Sequence, residues 1–106
     1  MNIEIAGRKD EEVIALARAL EKYQSSHPTS HAKLYRQNAA SIRMRIIHDA
    51  FERLRKGERH DLIWKELEEL PDDIKAQISM LLLLAPNEVK SSFANFEFDD
   101  PSPSLL

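Results

Sequence analysis

The pattern of apolar positions predicts a helix in the first quarter of the chain. Apolar residues recur there at helical spacing: Val13, Leu16, Ala17, Leu20 and Tyr23. One stripe of this helix should therefore face a core. Asp10 is a suitable N-cap, and the helix should end near Ser25, because Pro28 and short hydroxyl side chains follow. Ile3 and Ile5 alternate with polar residues, but the stretch is too short to assign.

Two short strands are predicted next, at residues 32–37 and 41–47, with a hairpin connection at residues 38–40. Asn38 tolerates the left-handed conformation that such turns often need. Ile42, Met44 and Ile46 should point to one side of the second strand and Arg43, Arg45 and Ile47 to the other. One face is therefore predicted to be core and the other basic.

A second helix is predicted from about residue 58 to residue 70, where Pro71 stops it. Its apolar stripe contains His60, Ile63, Trp64 and Leu67. Periodicity does not separate a strand from a buried helix over residues 74–84, but the run is short and follows a strand and a helix. We interpret it as a strand parallel to the previous one. Pro86 should open a third helix with an apolar stripe at Val89, Phe93 and Phe96.

The predicted order is helix, strand, strand, helix, strand, helix, which is an α+β fold with a three-stranded mixed sheet and helices packed on it. Residues 1–96 are expected to form a single domain. Residues 97–106 are acidic and contain two prolines, so we expect a mobile C-terminal tail. Two interpretations of this tail stay open: a disordered end, or a segment that orders on a partner.

Composition excludes several classes of site. The chain has no cysteine, so it has no disulfide framework, thiolate metal site or cysteine nucleophile. The longest apolar run, residues 80–85, is too short for a membrane span, and the N-terminus is too charged for a secretory signal. We expect a cytoplasmic protein that does not bind membranes.

The net charge of -3 hides a basic stretch. Residues 33–59 contain eight basic and three acidic residues, which gives +5, so the remainder carries -8. A phosphate-binding surface and a solvated face are both open interpretations. The candidate phosphate contacts are Arg55, Lys56, Gly57 and Arg59, at the start of the second helix.

Catalytic and metal chemistry find little support in the sequence. His48-Asp49 and His60-Asp61 are neighbours, and adjacent side chains on a strand or helix point apart, so neither pair indicates a dyad. His60 is interpreted as a structural histidine at the core boundary, hydrogen-bonded to a turn carbonyl. We expect no enzymatic activity, no metal site and no small-molecule substrate.

Over residues 42–88 the chain resembles the BolA family, which are small KH-like proteins. The resemblance is carried by Asp49-Ala50-Phe51 after a strand, by Arg59-His60 leading into Leu62-Ile63-Trp64-Lys65-Glu66-Leu67, and by an apolar strand that runs into Pro86-Asn87-Glu88. It implies a non-enzymatic adaptor or regulator. Family members pair with monothiol glutaredoxins around a bridging [2Fe-2S] cluster, or bind nucleic acid as transcriptional regulators.

The chain departs from the family at its cluster ligands. The family's ligand histidine opens the last strand, where this chain has Lys75-Ala76-Gln77, and the hairpin at residues 38–40 holds no Cys or His. We therefore expect no cofactor. A KH-like phosphate grip would rest on Gly57 without a second loop glycine, so nucleic-acid binding should be weak and salt-dependent.

An interface is predicted on the open face of the sheet. Ile78, Met80, Leu82 and Leu84 should meet the helices, which leaves Leu81 and Leu83 beside Tyr35, Arg43 and Arg45. An apolar patch with such a rim predicts self-association or a protein partner. The open alternative is that the segment with Ile3 and Ile5, or the tail, covers these leucines.

Overall fold

The computed structural model describes residues 3–92 together with Asn95 and Phe98. Within them the chain is α+β. In order, its elements are β1 (Ile3–Ala6), α1 (Glu11–Ser26), β2 (His31–Asn38), β3 (Ser41–Ile47), a first 3-10 helix (Asp49–Arg53), α2 (Lys56–Leu67), α3 (Asp72–Lys75), β4 (Ile78–Leu84) and a second 3-10 helix (Pro86–Ser91). None of the helices in this part of the chain has the length and apolar character needed to cross a bilayer.

The sheet has four strands in the order β1-β2-β3-β4, so the prediction of three strands was wrong. β1 and β2 are parallel, β2 and β3 are antiparallel, and β3 and β4 are parallel. β1 was missed because four residues give too short a pattern. It forms because Ile3 pairs with Ala32 at the open side of β2, and because Ile3 and Ile5 pack against the core.

Helix α1 matches its prediction at both ends. The Asp10 carboxylate accepts hydrogen bonds from the backbone N–H groups of Glu12 and Val13, at 3.1 and 3.0 Å, and the helix ends at Ser26. Arg36 on β2 also donates to the Asp10 carboxylate. This hydrogen bond is the main reason that the pKa of Asp10 lies below its ordinary value. The cap therefore also ties α1 to the sheet.

The β2–β3 hairpin forms as predicted, but its turn does not use a left-handed asparagine. No residue other than glycine has a positive φ in the described part of the chain. Instead, the Asn38 side-chain oxygen accepts the backbone N–H of Ala40 at 2.9 Å, which closes the turn. On β3, Ile42, Met44 and Ile46 are buried in the core, as predicted.

The second half of the chain differs from its prediction at several boundaries. α2 runs from Lys56 to Leu67 instead of from about 58 to 70. The short helix α3 occupies residues 72–75, so the strand begins only at Ile78. After it, residues 86–91 form a 3-10 helix instead of the start of an α-helix. Phe93 and Phe96, predicted to lie on that third helix, are outside the described residues.

The faces of β4 are opposite to the prediction over most of the strand. Ile78 pairs with Ile42, but Met80 then pairs with Arg43, because Ser79 is an extra residue at a bulge. From that point the alternation is shifted by one position. Leu81 and Leu83 therefore face the core, where both pack against the cluster of buried residues. Met80 and Leu82 lie on the face of the arginines instead.

The outer face of the sheet is covered in part by the chain itself. The Phe98 ring is fully buried, meets the Tyr35 ring edge-on at 5.4 Å between centroids, and lies under the Arg45 guanidinium. Asn95 accepts a hydrogen bond from Arg45 at 2.7 Å. Phe98 thus belongs to the folded domain, although the prediction placed it in the tail. The remainder of the predicted tail, Glu97 and residues 99–106, lies outside the described residues.

Candidate functional site

β4 is an edge strand, and its backbone fixes the groups that line the site. The His48 N–H donates to the Leu84 carbonyl at 3.0 Å. Along a parallel ladder, residues alternate between those that bond to the neighbouring strand and those that point away from it. The carbonyls of Leu81 and Leu83 therefore point away from β3, toward the start of α2.

Arg59, at the start of α2, donates a hydrogen bond to one of these carbonyls. Its guanidinium donates to the Leu83 and Leu54 carbonyls, both at 3.0 Å, and to both Glu88 carboxylate oxygens at 2.6 and 3.0 Å. The side chain is 4% exposed and lies over the Phe51 ring. Arg59 was predicted as a phosphate contact, but these internal partners use four of its five N–H donors.

Glu88 joins this arrangement to the segment that follows β4. Its Oε1 atom accepts the backbone N–H of Ala85 at 2.8 Å, which caps the second 3-10 helix. The hydrogen bond from Arg59 is the main cause of the lowered pKa of Glu88. The ion pair therefore holds α2 against the segment after β4 while the same carboxylate fixes how that segment turns.

His60 contacts the other carbonyl that points away from β3, that of Leu81. Its Nε2 atom lies 3.0 Å from the Leu81 carbonyl oxygen, and its Nδ1 atom lies 2.9 Å from the Lys56 carbonyl oxygen. The ring is half-buried at the boundary of the core. Both ring nitrogens thus contact backbone oxygens. The geometry is that of a structural histidine and leaves neither nitrogen directed at solvent.

A groove of about 330 Å³ runs beside this edge, and we call it the edge groove. It is lined by Lys56, His60, Leu81, Leu82, Leu83, Leu84, Glu88, Ser91 and Ser92. Trp64 follows His60 by one helical turn on the same side of α2. At 36% exposure it is the one large apolar side chain that is exposed among the described residues. The leucines and Trp64 make this region apolar, while its rim carries charges of both signs.

Three of the four predicted phosphate contacts lie together at the surface. Arg55, Lys56 and Gly57 are exposed at the N-terminus of α2, and Arg53 is exposed just before them. Glu58 lies in the same turn, and its carboxylate accepts the Arg55 backbone N–H at 2.9 Å. The basic group therefore includes an acid that opposes an anionic ligand.

The five predicted interface residues do not form one surface. Tyr35, Arg43 and Arg45 share the outer face of the sheet, where Arg43 donates to the Tyr35 hydroxyl at 3.2 Å, but Tyr35 is buried beneath Phe98. Leu81 and Leu83 are on the opposite face. The bulge at Ser79 is the cause of this error.

A buried polar cluster escaped the sequence analysis. The His48 ring contacts the Tyr23 hydroxyl through Nδ1 at 2.9 Å and the Asp49 carboxylate through Nε2 at 3.2 Å. The expectation that His48 and Asp49 point apart was wrong, because the strand ends at Ile47, before both of them, and the chain turns into a 3-10 helix that His48 precedes and Asp49 begins. The sequence did contain one signal of this cluster: Tyr23 brings a hydroxyl group onto the apolar stripe of α1.

Burial controls the protonation of this cluster. It raises the pKa of Tyr23 to about 12 and lowers the pKa of His48 below its ordinary value. Tyr23 is 2% exposed and His48 is 4% exposed, so a substrate has no access to either. The cluster therefore has the chemistry of a structural hydrogen-bond network.

The residues present do not fit the [2Fe-2S] cluster that proteins of the BolA family bind. At the corresponding positions, the Lys75 ammonium contacts Asp72 and the Glu68 carbonyl, both at 3.2 Å, and the Gln77 amide donates to Glu12. An ammonium group and an amide are not ligands for such a cluster. Within the described ranges, no group of three His, Cys, Asp or Glu side chains is arranged to hold a metal ion.

Comparison with known proteins gives no further assignment. The chain matches no protein-family model and no curated protein sequence.

Proposed function

We propose that this protein is a small, non-enzymatic adaptor or regulator of the BolA-like type, which binds another protein through the edge groove and Trp64. The order of elements supports the BolA-like part of the proposal. If the short helix α3 and the two 3-10 helices are set aside, the chain from α1 onward runs helix, strand, strand, helix, strand. This is the order expected for a BolA-like chain up to the last strand, with β1 added in front.

The exposed Trp64 carries the proposal of a protein partner. Tryptophan is among the residues that contribute most to binding energy at protein interfaces. Here it is exposed and follows His60, which lines the edge groove, by one helical turn. The lysine and serine side chains at the rim can hydrogen-bond to a partner. Such a composition is typical of an interface with an apolar centre and a polar rim.

The hydrogen-bond partners and the burial of His60, Arg59, Tyr23 and His48 support a non-enzymatic role. General acid–base catalysis needs a group within hydrogen-bond reach of the substrate. His60 directs both ring nitrogens at backbone carbonyls, and Arg59 is used by Glu88 and two carbonyls. Tyr23 and His48 are buried away from the edge groove.

The test is capture of partners from an extract of the source cells, with Trp64→Ala as the variant and Lys65→Ala as the matched control. Both side chains are exposed on α2, so neither change should disturb folding. Trp64→Ala should lose the captured proteins, and Lys65→Ala should keep them. Because Trp64 is the only tryptophan in the chain, its fluorescence reports directly on binding of a purified partner.

Two results would contradict this proposal. The same proteins could be captured by Trp64→Ala and by the unchanged chain, which would place the binding surface elsewhere. Alternatively, a purified partner could bind with no change in Trp64 emission. A melting temperature that is equal for the variant and the unchanged chain rules out misfolding as the cause of lost binding.

A second candidate function is weak binding of nucleic acid. The observation that favours it is the exposed group of Arg53, Arg55 and Lys56 at the N-terminus of α2, where backbone N–H groups attract phosphate. Binding of a labelled single-stranded RNA should weaken steeply between about 50 and about 200 mM salt. The double variant Arg55→Ala, Lys56→Ala should reduce it further. Tight, salt-resistant binding would contradict a phosphate-only contact.

A further inference from the structure

A second groove lies between α1 and α2 and shares no lining residue with the edge groove. We call it the interhelical groove. Its volume is about 380 Å³, and its lining consists of Ala15, Arg18, Ala19, Lys22, Glu66, Glu69 and Leu70. All charges on the α1 wall are positive, and all charges on the wall formed by α2 and the turn after it are negative.

The four charged side chains form no ion pair with one another. Arg18, Lys22 and Glu69 are exposed and Glu66 is half-buried. In the chain from residue 3 to 92, with Asn95 and Phe98, the ion pairs involve other residues. Arg18 and Lys22 also repel one another, because they lie four residues apart on α1. The groove therefore carries two separated charged walls that a docked molecule could neutralise.

We propose that the interhelical groove is a homodimer interface, in which a second copy of this chain docks with its two-fold axis parallel to the groove. In a two-fold dimer the same surface of both copies is used. With the axis along the groove, α1 of one copy lies over α2 of the other. Arg18 and Lys22 then meet Glu66 and Glu69 of the partner copy, and the same contact is made twice.

The charge pattern selects this arrangement over the other face-to-face dimer. If the two-fold axis ran across the groove, α1 would lie over α1, and cations would meet cations. Like charges placed together across an interface are unfavourable. The charges therefore specify that the two-fold axis runs along the groove. They also specify that α1 of each copy faces α2 of the other.

A second copy suits the groove better than an unrelated partner, because complementarity needs a basic wall and an acidic wall at the same separation. The rotated groove supplies both at that separation. Ala15 and Ala19 lie on α1 beside the two cations and are half-buried. Their short side chains allow another helix to approach to about 8–10 Å. Dimer formation does not use the edge groove, so this inference stands apart from the proposed function.

Charge reversal gives a direct test by analytical ultracentrifugation. The variant Arg18→Glu, Lys22→Glu has two acidic walls, and the variant Glu66→Lys, Glu69→Lys has two basic walls. Each should be monomeric alone, with a dimer dissociation constant raised roughly ten- to a hundredfold from the loss of several surface ion pairs. Mixed together, they should form a heterodimer. The chain with all four changes should recover the homodimer.

The unchanged chain should also dissociate as salt rises, because exposed charges are screened. Three outcomes would overturn the inference: a monomer at every concentration, a dimer that both charge reversals leave intact, or reversed variants that do not associate when mixed. Circular dichroism establishes that each variant is folded. If a double reversal fails to fold, Lys22→Glu and Glu69→Lys alone make the same comparison, because both change exposed side chains.

Discussion

Replacing Arg59 with alanine tests whether this residue belongs to the fold or to a phosphate site. The guanidinium makes four hydrogen bonds, to the carbonyls of Leu54 and Leu83 and to both oxygens of Glu88. The substitution removes all of them together with the packing over Phe51. The Leu83 carbonyl would be left inside the protein without its side-chain donor, and the Glu88 carboxylate without its counter-charge.

The burial of the Arg59–Glu88 pair determines how much unfolding free energy Arg59→Ala should lose. Removing one member of a buried ion pair typically costs about 3–5 kcal/mol. The Glu88 side chain is 35% exposed and can be rehydrated, so the lower end applies and we expect about 3 kcal/mol. Total stabilities are about 5–15 kcal/mol. For a domain of this size the melting temperature should fall by about 12 to 18 °C.

Thermal and urea unfolding followed by circular dichroism measure this loss. The matched control is Arg53→Ala, which removes an exposed arginine from the same stretch and should cost less than about 0.5 kcal/mol. Equal shifts for the two variants would refute the reasoning. In that case Arg59 would be free to bind phosphate, and a larger loss of RNA binding from Arg59→Ala than from Arg53→Ala would support that alternative.

Three further predictions concern buried groups. Phe98→Ala should cost roughly 3–5 kcal/mol in urea unfolding, because the ring is fully buried beside Tyr35; an unchanged stability would mean that the position belongs to a mobile tail. Burial holds the pKa of His48 below its ordinary 6.5, so the unfolded chain binds the proton more readily and the free energy of unfolding should fall as the pH drops below that value. His48→Gln should flatten this dependence between about pH 7.5 and pH 5.5, and a slope that survives the substitution would implicate another group. With its pKa raised to about 12, Tyr23 should ionise late in an alkaline absorbance titration, and Tyr23→Phe should remove that late step.

Elements with a cap or a clear alternation could be predicted from the sequence. Asp10 gave the start of α1, because capping depends on residues that are neighbours in sequence. β3 was placed with its correct bounds, because its two faces differ in polarity at every second residue. β1 was not assigned, since its stability depends on pairing with β2, which a four-residue pattern does not reveal.

The faces of β4 could not be predicted because the strand is apolar at nearly every position. With no polar residue to mark the outer face, a one-residue bulge at Ser79 reverses the assignment without leaving a signal in the pattern. The candidate interface of Leu81 and Leu83 with the arginines failed for this reason. Met80 and Leu82 lie beside the arginines, on the face where Leu81 and Leu83 were predicted.

The role of Arg59 was also out of reach of sequence reasoning. Its partners come from three places, at Leu54, Leu83 and Glu88, and a contact between residues 59 and 88 depends on how α2 packs beside β4. A charged residue in a basic stretch is usually exposed. His60 could be placed at the core boundary because its neighbours at helical spacing are apolar.

The contacts of Arg59 and His60 with β4 also have a consequence for solubility. An edge strand with free carbonyls and N–H groups can pair with a strand of another molecule, and such pairing leads to aggregates. Here a guanidinium and an imidazole occupy the Leu83 and Leu81 carbonyls, so an incoming strand would find no regular row of acceptors. The residues that hold α2 in place thereby keep this side of the sheet from growing.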